Sequence, residues 1–304
     1  MSHTLRQPPS RAYAMQLLAD RGMRLLFAMV AWCTAALLIG IFIFLVQSGG
    51  GAFGRIGLAE FFLGMKWNPN AIAQASWGIL PLALSTVMVA FGALVCAIPF
   101  GVALAIYLSF LASRATREVL KPVIEMIAGI PSVVLGLVGL VYLAPLVSSS
   151  FGISNGLNAL TASILVGITV VPTIASLCED ALSAAPSSLM EASLALGATR
   201  WTTIRRVMMP FAASGMLAAI MLGLGRAIGE TMVVLMVAGN SLKMPTGFLD
   251  PVRPMTATIA IEIREVVVGD LHWQALFAVG LTLFIVTFAL NTLTDILLHS
   301  RRSA

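Results

Sequence analysis

The chain predicts an all-α integral membrane protein with six transmembrane helices. Of its 304 residues, 59% are hydrophobic and 10% charged, against about 25% charged in an ordinary soluble domain. Mean hydropathy is +0.98. Six apolar runs each approach or exceed the roughly 20 residues that a bilayer crossing needs.

The first run, Leu25–Val46, is free of charge. A basic start ahead of an apolar run also describes a secretory leader. This run exceeds an ordinary leader core, and no small-x-small cleavage site precedes the stretch Gln47–Gly51, so an uncleaved first helix is expected. The second lies within Gly78–Leu111, with Pro81 near its start and Pro99 inside it, where a kink is expected. The third, Val123–Val147, carries Glu125 and the break Gly129-Ile130-Pro131. The fourth is Leu160–Leu177, the fifth Phe211–Gly239 and the sixth Trp273–Leu293.

Orientation follows from the 18 Lys and Arg. With both termini inside, only Arg55, Lys66, Lys243, Arg253 and Arg264 fall outside. Arg226 is within the membrane and all other basic residues, from Arg6 to Arg302, are cytoplasmic, the asymmetry expected of inner loops. The net charge of +5 therefore points to membrane flanks and not to nucleic acid. Cys33, Cys96 and Cys178 lie in or at the ends of apolar runs without metal spacing and read as free thiols. His3, His272 and His299 are scattered, so neither a metal site nor a catalytic cluster is expected. A GxxxxGK[ST] phosphate loop is absent from the sequence, so the chain is not expected to energise itself by that route.

The longest and most polar cytoplasmic segment is Glu179 to Pro210. It reads as two short helices. Pro186 and Ser187 open the first, with Ser188 and Glu191 at capping-box spacing, and Gly197 suits a left-handed stop. Thr199 is placed to cap the second, Trp201 to Met209, before Pro210. Arg200, Arg205 and Arg206 make this hairpin basic, and Ala192, Leu194, Ala195 and Leu196 give it an apolar face. Composition alone fits a helix pair on anionic lipid and a docking knob for a soluble partner equally.

Glu191-Ala192-Ser193, then Gly197, Ile204 and Met209-Pro210, resembles the EAA loop of ABC importer permeases. Ser193 and Met209 depart mildly from that pattern. Five further strings, taken in order, resemble the phosphate-specific (Pst) ABC permeases, the C-type subunit more than its A-type partner. They are Phe62 to Pro69 with Gly78 to Pro81, Glu125 to Val134, Gly223 to Met232, Val237 to Asn240, and Met255 to Glu262. The similarity runs from about residue 20 to 298.

The resemblance implies a type I importer permease (MetI-like) fold in the bacterial inner membrane. Residues 1–24 would be a cytoplasmic segment, 25–298 the permease domain with its EAA loop at 179–210, and 299–304 a cytoplasmic tail. It further implies a second permease subunit, an ABC ATPase dimer holding ATP and magnesium, and a periplasmic phosphate-binding protein. No cofactor or catalytic site is expected in this subunit. Glu191, Ala192, Gly197, Arg200 and Arg205 would couple it to the ATPase.

Arg226 and Glu230 stand four residues apart in the fifth run, on one face if that run is one helix. Charges at such depth cost about 2.5 to 3.5 kcal/mol each on insertion scales. Two roles are open to the pair. It either fixes helix packing, or Arg226 contacts the anion in its path while Glu230 holds Arg226 when substrate is absent. Gly129 and Pro131 suit a gate hinge or a simple kink, and Glu125 a side chain reaching the inner interface. The outer loop Asn240–His272 reads either as solvated or as a docking or re-entrant element. Residue chemistry alone leaves sulfate, molybdate or tungstate, and an ATPase-independent transporter, as competing readings.

Overall fold

The computed structural model describes residues 11–71 and 74–302, with side chains from 20 to 71 and 74 to 296. Arg6 lies outside that description, as do the side chains of the orientation residues Arg11, Arg301 and Arg302 and of the tail 299–304. The elements run α1 (Arg11–Ile56), α2 (Leu58–Leu63), a two-stranded antiparallel hairpin β1 (Trp67–Asn68) and β2 (Ser76–Trp77), then α3 (Leu80–Ile106), α4 (Arg114–Ala128), α5 (Ser132–Val138), α6 (Ala144–Phe151) and α7 (Ala159–Ser183). They continue with α8 (Ser187–Ala195), α9 (Arg200–Thr203), α10 (Met209–Phe211), α11 (Ala213–Gly229), α12 (Met232–Val237), α13 (Met255–Glu262) and α14 (Leu271–Arg302). Single π turns prolong α3 at Tyr107–Leu111, join α5 to α6 at Gly139–Leu143, and join α9 to α10 at Ile204–Met208.

Among the described residues, five helices are long and apolar enough to cross a membrane: Asp20–Ile56, Leu80–Leu111, Ser132–Phe151, Ala159–Ser183 and Leu271–Ile296. The bent pair Arg200–Phe211 and Ala213–Gly229, 71° apart, makes a sixth if it crosses as one span. Two expected spans are corrected. The third starts at Ser132, not Val123, because Val123 and Glu125 belong to α4, a separate helix with basic and apolar faces. The fifth does not run to Gly239: α11 stops at Gly229, and α12 restarts at Met232 after an extended Glu230.

The core is the parallel pair α3 and α7. Small residues let the backbones approach, as membrane helix interfaces require. A Cβ on Gly92 would fall 2.4 Å from Ser163 Oγ, and one on Gly101 2.8 Å from Ile174 Cγ2. Ala93, Ala97, Ala162 and Ala175 are fully buried between them. Since Gly92 meets Ser163 and Gly101 meets Ile174, both helices start at one end of the bundle. Pro81 sits in the first turn of α3, where its missing N–H costs nothing. Buried Asn158 caps α7 by accepting from Thr161 N at 2.9 Å. α11 and α12 complete this core.

α1 is held against α14 by Phe42 on Phe284, Phe44 on Phe277, and Gly49 against the Ala278 backbone. The other faces of α1 are exposed and apolar, as lipid contact demands. At the end where α3 begins, a second cluster joins Phe61, Trp67, Ile79, Met255, Leu276 and Val279. The loop after α12 is solvated only in part, with Arg264, Glu265 and residues 267–270 exposed. It returns through Val252, fully buried, into α13, whose Met255 N–H donates to Thr86 Oγ1 at 3.0 Å.

Candidate coupling loop and transport pathway

The α8–α9 hairpin has a firm base and a bare tip. Its base is Thr203, Ile204 and Met208, buried at 0%, 1% and 2% exposure. Its tip buries nothing: no residue of α8 is buried, and Leu196 is 89% and Trp201 59% exposed. Glu191, Ala192, Gly197, Arg200 and Arg205 are all exposed on this knob. Gly197 adopts φ 84°, the left-handed stop, and Thr199 Oγ1 accepts from Thr202 N at 3.2 Å.

Other local details differ from expectation. The residue capping α8 is Pro186, extended at ψ 131° and without a side-chain cap bond, so Ser188 and Glu191 form no capping box. The second helix runs through Pro210 to Phe211 and bends at Ala212. Ser193, the departure from the EAA pattern, bonds Thr203 with its hydroxyl at 2.9 Å and stitches α8 to α9. Glu179, expected to open this loop, lies inside α7, which continues to Ser183.

Arg226 and Glu230 do not form the expected ion pair. Arg226 sits in the last turn of α11 and donates through Nη1 to Thr173 Oγ1 at 2.9 Å. Glu230 has left the helix at ψ 126°, and its Oε1 accepts from Val233 N at 3.3 Å. The Glu230 carbonyl accepts from Thr256 Oγ1 of α13 at 3.0 Å. The physical reason is non-local: a contact 26 residues away holds the strand-like link that separates α11 from α12.

Gly129 and Pro131 stand at the junction of α4 and α5, not within a span. Gly129 ends α4 at φ −84°, and Pro131 leads α5. Beside them, a cavity of about 340 Å³ between α4 and α7 is lined by Glu125, Pro172, Thr173 and Ser176 among others. Thr173 thus faces this cavity and also receives Arg226. Neither Thr173 nor Ser176 carries a sequence signal beyond lying next to Pro172 in an apolar helix.

Two carboxylates to which the sequence assigns no role, Glu179 and Glu262, are buried. Glu179 is 1% exposed and accepts from Arg117 and Lys121 of α4. Glu262 of α13 is 6% exposed and accepts from Arg253 Nη1 at 2.8 Å and Trp67 Nε1 at 3.0 Å, with His272 Nε2 at 2.8 Å. An acidic residue inside an apolar helix was the available signal for each.

Residues 97–302 match the family model for the inner membrane component of binding-protein-dependent transport systems. The phosphate transport system permease protein PstC of Mesorhizobium japonicum is 35% identical over 271 residues, covering 83% of this chain and 81% of that protein. PstC of Haemophilus influenzae is 32% identical over 297 residues, covering 91% and 92%. Among solved structures, a chain of a bacterial alginate ABC transporter, crystallised with an alginate-bound periplasmic protein, superposes at TM-score 0.60 over 93% of this chain and 96% of that one. At 16% identity this last likeness concerns the fold alone. The chain belongs to the binding-protein-dependent ABC transporter permeases, and within them to the PstC-type phosphate transport permeases.

Proposed function

We infer that this chain is a transport subunit of an ATP-driven importer of inorganic phosphate. The observation that carries the reading is the α8–α9 knob: an apolar, basic tip with no cover, built on a buried base. An exposed Leu and Trp at a loop tip call for a partner surface, and the EAA pattern assigns that surface to a cytoplasmic ATPase that binds ATP and magnesium. The chain itself serves transport and not catalysis. Its termini and knob face the cytoplasm, and the hairpin end faces the periplasmic phosphate-binding protein. A second, different permease completes the pathway.

Arg226 is the anion's contact in this proposal. It is exposed on the single chain and held by one neutral hydroxyl, so its guanidinium keeps donors free for a tetrahedral oxyanion. Glu230 does not restrain it. Its role is to shape the α11–α12 link beside it. Reconstituted complex, loaded binding protein and ATP should give phosphate uptake that sulfate and molybdate do not compete away. Arg226→Gln should abolish uptake while leaving assembly intact. Full uptake by that variant would remove Arg226 from the pathway, and uptake without the ATPase would overturn the importer reading.

A further inference from the structure

We propose that Glu179 is a positioning residue of the transport cycle: by clasping Arg117 and Lys121 it makes α4 move with the end of α7, which carries the coupling hairpin. The clasp is well defined. Glu179 Oε1 accepts from Arg117 Nη2 and from Ser183 Oγ at 3.3 Å, and Oε2 accepts from Lys121 Nζ at 2.7 Å. Lys121 Nζ also lies 3.5 Å from Asp180 Oδ1, and Arg117 Nη2 lies 3.3 Å from Ser183 Oγ. Four bonds or ion contacts therefore bind one turn of α4 to the last two turns of α7.

Little else tethers α4. Its one buried side chain is Ile124, its packing partner is α7, and Gly129-Ile130-Pro131 separates it from α5. Arg117 and Lys121 fall four residues apart on one helix face, and both reach Glu179, whereas Arg114 pairs with Glu118 on α4 itself. Buried ions are a poor means of adding stability, since apolar replacements often do as well, but they fix geometry.

The mechanical route is continuous. α8 begins at Ser187, with three residues between it and the end of α7 at Ser183. Displacing the hairpin shifts Ser183 and Glu179, and the clasp carries α4 along. α4 then turns about Gly129 and Pro131 and moves α5. α5 rests on α12 through Gly136, where a Cβ would lie 2.7 Å from Met236 Sδ. α12 leads directly back to Glu230 and the end of α11 that bears Arg226.

The proposal rests on the hairpin docking an ATPase, and the test separates the two. Wild-type and Glu179→Gln complexes are purified with ATPase and second permease, reconstituted with loaded binding protein, and read as phosphate taken up per ATP hydrolysed. Glu179→Gln should lower that ratio about tenfold or more, the effect of losing a charged hydrogen bond, while the ATPase co-purifies. Should that variant fail to assemble, Lys121→Met decides. It leaves Arg117 to neutralise Glu179 and should lower the ratio about threefold, with Lys121→Arg restoring it. A wild-type ratio in assembled Glu179→Gln, or in Lys121→Met where the former does not assemble, overturns the clasp. Loss of the ATPase from every preparation, wild type included, overturns the docking reading instead.

Discussion

Glu262 and Glu179 pose the same physical problem at opposite ends of the bundle and solve it differently. Each is a buried carboxylate, costly to desolvate unless paired and hydrogen-bonded. At the hairpin end, the partners are buried as well: Arg253 and His272 side chains are each 11% exposed, and Trp67 and Trp77 wall the site with edge-on ring contacts to His272. At the coupling end, Arg117 and Lys121 are 41% and 36% exposed. An enclosed pair is neither screened by salt nor able to exchange its partner for water, so it acts as a lock. A half-exposed clasp is open to salt and water at its basic partners, so it still joins its helices but adds less stability. The lock joins hairpin, α13 and α14, whereas the clasp joins α4 to the end of α7, next to the α8–α9 hairpin.

The comparison breaks most readily at Glu262. Glu262→Ala leaves Arg253 buried without its counter-charge and should cost about 3 to 5 kcal/mol, seen as a large fall in the thermal midpoint of detergent-purified protein. Arg253→Met, which leaves His272 and Trp67 in place, should cost about 3 kcal/mol by the same measurement. Trp67→Phe removes one N–H donor from a charged acceptor and should cost about 1.5 to 3 kcal/mol. Lys121→Met at the other end should cost below about 1 kcal/mol, as exposed ion pairs do. Equal losses at the two ends would erase the distinction between lock and clasp.

Alkaline titration sharpens the comparison with the smallest effect. The hydrogen bond from Lys121 to Glu179, opposed by burial, raises the Lys121 pKa above its ordinary 10.5. A raised folded pKa means that the clasp's contribution is complete below 10.5 and is lost as pH climbs through the higher folded value. Mild destabilisation beginning above pH 10.5 in wild type and absent in Lys121→Met is the expected result.

Much of the fold was legible because its signals are local. Apolar length marks the spans, Gly197 marks a helix stop through its φ, and Thr199 marks a cap through its reach. The places where local reading fails share a cause. Spacing of four put Arg226 and Glu230 on one helix face, yet Thr256 pulls the Glu230 carbonyl out of the helix from a distant loop. Val123 to Val147 reads as one apolar run interrupted by a proline. The run is split at Gly129-Ile130-Pro131, where α4 ends and α5 begins, and α4 is held instead to Glu179, 58 residues from Lys121. The hairpin Trp67–Asn68 with Ser76–Trp77 was unrecognised, since two residues per strand leave no period to detect.

By itself, the sequence determined that this protein is a helical membrane permease with a two-helix coupling loop, because hydrophobic length, capping and glycine conformation act over a few residues. Only the tertiary structure decided what each buried charge does. Arg226 is given to Thr173, Glu179 to α4 and Glu262 to the hairpin end, because the partner of a buried ion is whatever the packing brings within hydrogen-bond reach.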